Sequence, residues 1–213
     1  MDVLVAGAHG RVGIQLTELL AESEHGTYGM VRSRDQIEDI ESFGATAVLG
    51  DLTDEEDVER AVEHRDAILF AAGSGGENVT GVDRDGAISM IDAAEDAGVS
   101  RFVMLSAMNA DAPEDSPDAL REYLEAKAAA DAHLRESSLT YTIVRPGALT
   151  DDAPTGEIRV GDDLDRGEIT RADSAQVLAA ALEIEATHGE TFEVLGGEEP
   201  IENALESLSS PGR

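Results

Sequence analysis

Cysteine and tryptophan are absent from this chain of 213 residues, and its fifteen basic residues are fourteen arginines and a single lysine, Lys127. Without cysteine there is no disulfide framework, no thiolate nucleophile and no zinc–thiolate site, and no other cluster suggests a metal. No run approaches the roughly 18 apolar residues of a membrane span. The chain enters its first apolar segment, Asp2-Val3-Leu4-Val5-Ala6, with no basic and apolar leader before it. A cytoplasmic protein is therefore expected. Cations are scarce against 46 acidic residues, giving a formal charge of -31. Such a charge repels nucleic acid and anionic membranes, which excludes both as expected partners and leaves a small-molecule substrate and a monomer or homodimer.

The acids are spread along the chain rather than gathered in a tail, and 41% of residues are apolar, enough to build a core. Self-repulsion at this charge opposes the compact state unless salt screens it, and the screening length falls to about 3 Å at 1 M. Acid excess, loss of lysine in favour of arginine and only seven phenylalanines and tyrosines together give a halophilic composition.

Short apolar runs alternate with helical patterns. The fold class this predicts is α/β, a Rossmann-type, doubly wound, mostly parallel sheet with helices on both faces. Strands are expected at 2–6, 27–31, 46–49, 67–71, 102–105, 141–144 and 191–194, with helices at 12–24, 34–43, 55–63, 82–97, 117–136 and 172–185. Between Pro146 and Ala172 the pattern weakens into a Gly- and Asp-rich stretch, read as a short hairpin or lid. Residues 1–207 read as one nucleotide-binding domain with small substrate-capping loops, and 208–213 as a frayed tail.

Gly7-Ala8-His9-Gly10-Arg11-Val12-Gly13 lies between the first strand and the first helix. Glycines there permit a tight turn and close backbone approach to a pyrophosphate, and the helix N-terminus offers its unpaired N–H groups. His9 reads as a small polar turn residue. At the end of the second strand, where an acid would hold the ribose of NAD, the chain has Arg32-Ser33-Arg34. Cations at that point favour the 2′-phosphate of NADP over NAD, with Arg11 contributing from the glycine turn. Asp51 and Leu52 have the form of an adenine contact, although Asp51 could equally cap the next helix. Ala71, Ala72 and Gly73 leave room for a cofactor across the sheet edge, or form a plain loop.

Lys127 stands four residues after Tyr123, although only three tyrosines offer that offset. Residues so spaced share a helix face. An ammonium beside a phenol favours its ionised form and eases proton donation to a carbonyl. Ser106, at the end of the fifth strand, sits where parallel sheets place ligands. A Ser106–Tyr123–Lys127 group would hold a carbonyl, move its proton and bind the nicotinamide ribose.

The order of the glycine turn, Arg32, Gly50-Asp51-Leu52, Ser106, Tyr123-x-x-x-Lys127 and Tyr141-Thr142-Ile143-Val144-Arg145-Pro146-Gly147 resembles the short-chain dehydrogenase/reductases. It is most similar to their compact atypical branch of NAD(P)-binding, epimerase-like proteins, near the biliverdin reductase B-like flavin reductases. The resemblance implies that Pro146, Gly147 and Ala148 line the nicotinamide pocket through their backbone, and that Arg171 and Asp173 buttress the fold. It lacks the large C-terminal substrate domain of sugar-nucleotide epimerases, which implies a small or flat substrate, whereas flavin reductase relatives typically lack the tyrosine–lysine pair. The expected activity is NADP(H)-dependent reduction of a small carbonyl, quinone or flavin-like acceptor. The alternatives are an NADP(H)-sensing regulator without turnover and an epimerase or dehydratase that retains its cofactor.

The charge carries a test of its own. Lowering KCl from about 3 M to about 0.1 M is expected to unfold the protein, because the acids lose their screening. An unchanged cooperative melt across that range would refute the halophilic reading and leave the cofactor motif untouched.

Overall fold

The first strand, β1 (Asp2–Ala6), is apolar at four consecutive positions and is buried on both faces, as a central strand of a parallel sheet must be. In this computed structural model, which describes residues 1–209, it is followed by α1 (Gly13–Ala21), β2 (Gly26–Val31), α2 (Ile37–Ser42), β3 (Thr46–Leu49), α3 (Glu55–Val62) and β4 (Ala67–Phe70). The second half contains α4 (Ala87–Asp96), β5 (Arg101–Leu105), α5 (Asp118–Glu136), β6 (Thr140–Pro146), β7 (Ala148–Thr150), β8 (Glu157–Gly161), β9 (Glu168–Thr170), α6 (Arg171–Glu183), β10 (Glu190–Gly196), β11 (Glu199–Pro200) and α7 (Ile201–Glu206).

Nine strands form one sheet in the order β11-β8-β10-β6-β5-β4-β1-β2-β3. All pairings are parallel except those of β8 with β10 and β11. The order runs outward in opposite directions from the β1–β4 boundary, and the crevice at such a reversal is where α/β sheets bind ligands. This is a Rossmann-type fold.

Strand alternation divides the core in two. Val3 and Val5 pack with Leu16, Leu20, Val177 and Leu178 from α1 and α6. Leu4 and Ala6 join Val58, Met90, Ile91, Ala130 and Leu134 from α3, α4 and α5 on the other face. Phe70 and Phe102 stack there with ring centroids 6.4 Å apart.

Several boundaries differ from the sequence expectation, each for a local reason. The first helix stops at Ala21 rather than residue 24, where the Ser23 hydroxyl donates to the Leu20 carbonyl and takes up an end-of-helix acceptor. The segment expected as a helix over 34–43 opens as a 3₁₀ turn, Arg34–Gln36, before α2. Residues Val79–Gly86 form a wider π-helical turn ahead of α4, begun by Asn78, whose side chain accepts from the Gly81 N–H at 3.1 Å.

The 146–172 stretch is not a hairpin. β7 and β9 pair in parallel with each other, while β8 crosses to the main sheet. Asp173 at the start of α6 holds this crossing, accepting from the N–H groups of Thr155 and Gly156. The tail expected from residue 208 is corrected at its first position: Leu208 is buried in the core beside α7, a helix the sequence reading did not assign. The rest of that segment, from residue 210, lies outside the described residues. Among the described residues no helix is long and apolar enough to cross a membrane.

Among the described residues, one buried cation has no acid beside it. Arg101 spans from β5 to the Thr140 and Ala181 carbonyls, at 2.8 and 2.6 Å, and to the hydroxyls of Thr142 and Thr187. Burial brings its pKa down to about 10, still far above neutrality, so the guanidinium joins β5, β6 and the end of α6 as a cation bound to neutral oxygens through its two terminal nitrogens, with Nε buried and without a hydrogen bond.

Candidate functional site

A cavity of about 900 Å³ opens along the carboxyl ends of the strands, at the point where the sheet order reverses. Its first wall is the glycine turn. Gly7 has φ +80, and a Cβ placed there would lie 2.5 Å from the Ala72 Cα. Only glycine lets this turn pass so close to the segment leaving β4. Gly13 does not face the cavity; its missing side chain lets α1 sit against the Gly7 carbonyl, which a Cβ would approach to 2.0 Å. Gly10, Arg11 and Val12 do line the cavity, and no side chain caps the N-terminus of α1. The Ile14 N–H of its first turn is taken up by the Gly10 carbonyl at 2.8 Å, so an anionic ligand would meet this helix end at the turn residues Arg11 and Val12.

His9 also lines the cavity but is held by neighbours. Gln36 Nε2 donates to His9 Nδ1 at 3.2 Å, and His9 Nε2 donates to Asp39 Oδ2 at 2.8 Å. The same Gln36 accepts the backbone N–H groups of Arg32 and Ser33 through Oε1, at 3.2 and 3.3 Å. One amide thus ties the glycine turn to the end of β2. Arg32 lines the cavity, and its guanidinium has no carboxylate partner among the described residues. Ser33 caps the 3₁₀ turn and Arg34 lies within it; neither lines the cavity, because the chain has already turned away from the sheet edge.

Asp51 and Leu52 line the cavity beside Gly50. Asp51 Oδ1 accepts from the Thr53 N–H and hydroxyl at 2.9 and 2.8 Å, while the cap of α3 is Asp54, whose side chain accepts from the Asp57 N–H at 3.2 Å. Of the two roles open to Asp51, capping is therefore taken by another residue.

Toward the other end the walls are Ala71, Ala72, Gly73, Leu105, Tyr123, Lys127, Leu149 and Arg171. Tyr123 is half-buried and Lys127 is only 2% exposed. From α5, the Lys127 ammonium reaches the carbonyls of Leu105 at 3.2 Å and Ala72 at 3.5 Å, joining the ends of β5 and β4. It lies 5.8 Å from the centre of the Tyr123 ring. Its counter-ion is Asp83, 1% exposed in the π-helical turn, with Oδ1 at 3.9 Å. Asp83 Oδ2 accepts the Ser74 hydroxyl and N–H at 2.6 and 3.0 Å; Oδ1 is buried without a hydrogen bond.

Ser106 is not brought to this site. Strand alternation turns it away from the cavity, and it donates to Asp131 Oδ2 at 2.9 Å, where Arg145 Nε also binds at 3.0 Å. Burial holds the Asp131 carboxyl above its usual range, against the opposing pull of Arg145 and Ser106. Pro146, Gly147 and Ala148 also stand off the cavity wall. The Pro146 carbonyl accepts from the Met108 N–H, and the N–H groups of Gly147 and Ala148 bind the carbonyls of Val194 and Gly167. Leu149 reaches the cavity in their place. Asp173 is a buttress in the manner described above, whereas Arg171 both lines the cavity and pairs with Asp151 at 2.6 Å.

The family model described as NAD(P)H-binding matches residues 7–185. The chain belongs to the NAD(P)H-binding family. It is 40% identical over 214 residues to the "uncharacterized sugar epimerase YhfK" of Bacillus subtilis, covering 98% of this chain and 100% of that protein. A solved structure from Bacillus halodurans, called a putative NAD-dependent epimerase/dehydratase, is 40% identical with a TM-score of 0.92, covering 97% of this chain and 99% of that one. The oxidoreductase ylbE from Lactococcus lactis is 32% identical with a TM-score of 0.90, covering 98% and 96%. A nucleotide suits the residues present: an uncapped helix N-terminus, a side-chain-free turn and an arginine without an acid partner all face one cavity.

Gln36 and Asp83 are two of the cavity residues that sequence reasoning passed over. Gln36 had a signal, since Ser33-x-x-Gln36 is a capping-box pattern at a helix start. Asp83 had none, being one acid among 46.

A buried ion pair makes a stability prediction. Lys127→Met is expected to cost about 3 kcal/mol by leaving Asp83 buried and alone. Adding Asp83→Asn should return more than half of that, giving a strongly non-additive double-mutant cycle in denaturant titrations. Additive losses would mean that the two charges do not sustain each other.

Proposed function

We propose that the protein is an NADP(H)-dependent oxidoreductase of a small carbonyl, quinone or flavin-like acceptor. The observation that carries this reading is the continuity of one cavity from the glycine turn and Arg32 to Tyr123 and Lys127. The glycine turn and the N-terminus of α1 would hold the pyrophosphate, and Arg32 the 2′-phosphate. Asp51 and Leu52 would meet the adenine, and Lys127 the nicotinamide ribose. When bound, the nicotinamide supplies or accepts hydride.

The remaining chemistry belongs to the chain. Tyr123, on the accessible side of Lys127, is the group positioned to give a proton to a carbonyl oxygen or take one from an alcohol. Lys127 is a fixed cation, held by two strand-end carbonyls and by Asp83, and it maintains a positive centre under the acceptor. Ser106 supports the site from behind, through Asp131 and Arg145, rather than touching the substrate. Ala119, Leu120 and Leu149 give the open end of the cavity apolar surface suited to a flat molecule.

A second reading, an NADP(H)-responsive regulator without turnover, draws on the engagement of Lys127 by three protein oxygens, an arrangement that also suits binding alone. NADPH oxidation in molar KCl across a panel of aldehydes, ketones, quinones and flavins separates the two. With a carbonyl substrate, Tyr123→Phe should lower turnover roughly 100-fold while leaving NADPH affinity intact. Equal rates would remove the tyrosine from the mechanism, and silence on every acceptor despite tight NADPH binding would favour the regulator. Arg32→Ala should weaken NADPH binding by roughly tenfold with NADH nearly unaffected. Equal effects on both would assign the 2′-position to other residues.

A further inference from the structure

Among the described residues, Asp83 is the one buried carboxylate that lines the cavity with an oxygen left over. Its Oδ2 is saturated by Ser74, but Oδ1 has no hydrogen bond, although the side chain is only 1% exposed. A buried acceptor without a donor is costly, and native structures rarely leave one without a purpose. Lys127 does not fill the role: at 3.9 Å the ammonium balances the charge but is too far for a direct hydrogen bond. Both groups line the same cavity. The floor next to them is Gly73, where an added Cβ would come within 3.2 Å of Asp83 Oδ1, so any side chain at that position would crowd the oxygen.

An ammonium and an unpaired carboxylate oxygen at this separation match one ligand group well. A hydroxyl can accept from Lys127 and donate to Asp83 at once, bridging a gap that neither protein group can close alone. We infer that Lys127 and Asp83 form a hydroxyl-binding subsite that takes a ribose hydroxyl of the nicotinamide half of the cofactor. Asp83 is the acceptor in this pair and a specificity-determining residue for the intact dinucleotide. The inference rests on the cofactor reading above and adds to it a residue from outside the Ser106–Tyr123–Lys127 group.

The test uses binding rather than turnover. Calorimetry at high salt would compare NADP⁺, adenosine 2′,5′-bisphosphate (which carries only the adenosine half) and an NADP⁺ analogue whose nicotinamide ribose lacks both hydroxyls. Asp83→Asn should bind NADP⁺ roughly tenfold more weakly than the unmodified protein, bind the bisphosphate within about twofold, and no longer distinguish NADP⁺ from the dideoxy analogue. Gly73→Ala keeps both charges and crowds Oδ1; it should show the same selective loss, and it decides the question if Asp83→Asn does not fold. Undiminished NADP⁺ affinity in the folded variants, or equal losses for NADP⁺ and the bisphosphate, would overturn the subsite. Failure of the unmodified protein to bind either nucleotide would instead overturn the cofactor reading itself.

Discussion

A lone ammonium buried in a protein interior is unstable unless oxygens surround it, and the site is arranged around that requirement. Lys127 leaves α5 and meets the final carbonyl of β5, the Ala72 carbonyl two residues past β4, and the carboxylate of Asp83. Those contacts fix four separate pieces of chain with respect to one another: the two central strand ends, the π-helical turn and the helix carrying Tyr123. The position of the phenol follows from them, because Tyr123 lies one helical turn before the lysine on the same face. The same demand accounts for the burial of Asp83, which would otherwise be expelled to solvent.

Electrostatics on a larger scale sharpen the picture. In a chain of charge -31, seven of the fifteen lysines and arginines pair with an acid among the described residues: Arg11, Arg60, Arg84, Arg121, Lys127, Arg145 and Arg171. Arg32, at the cavity, has none among the described residues, and the terminal nitrogens of Arg101 in the core bind neutral oxygens. The core arginine is structural, its hydrogen bonds going to carbonyls and hydroxyls around it. At the cavity, an unpaired guanidinium next to an uncapped helix N-terminus leaves a local positive field in a negative molecule, as an anionic nucleotide requires.

Much of this was legible in the residues. Period-two and period-3.6 patterns located the seven principal strands and the major helices, and the glycine turn announced the crevice because Gly7 and Gly13 meet steric demands that no other residue satisfies. Errors gathered where local pattern has little authority. The 146–172 stretch carries no strong periodicity, since β7, β8 and β9 are fixed by contacts to Asp173 and β10 rather than by their own propensities. Ser106 looked like a ligand group from its place at a strand end, but which way a side chain points there depends on the register of the whole sheet.

Composition and local pattern alone determined the α/β class, the nucleotide-binding turn and the shared face of Tyr123 and Lys127, because each depends on residues within a few positions of one another. Tertiary structure decided the partners. It gave the ammonium to Asp83, forty-four residues away in sequence, and gave Ser106 to Asp131. Contacts of that range depend on how strands are ordered and helices laid across them, and an isolated acid among 46 bears no mark of which charge it will meet.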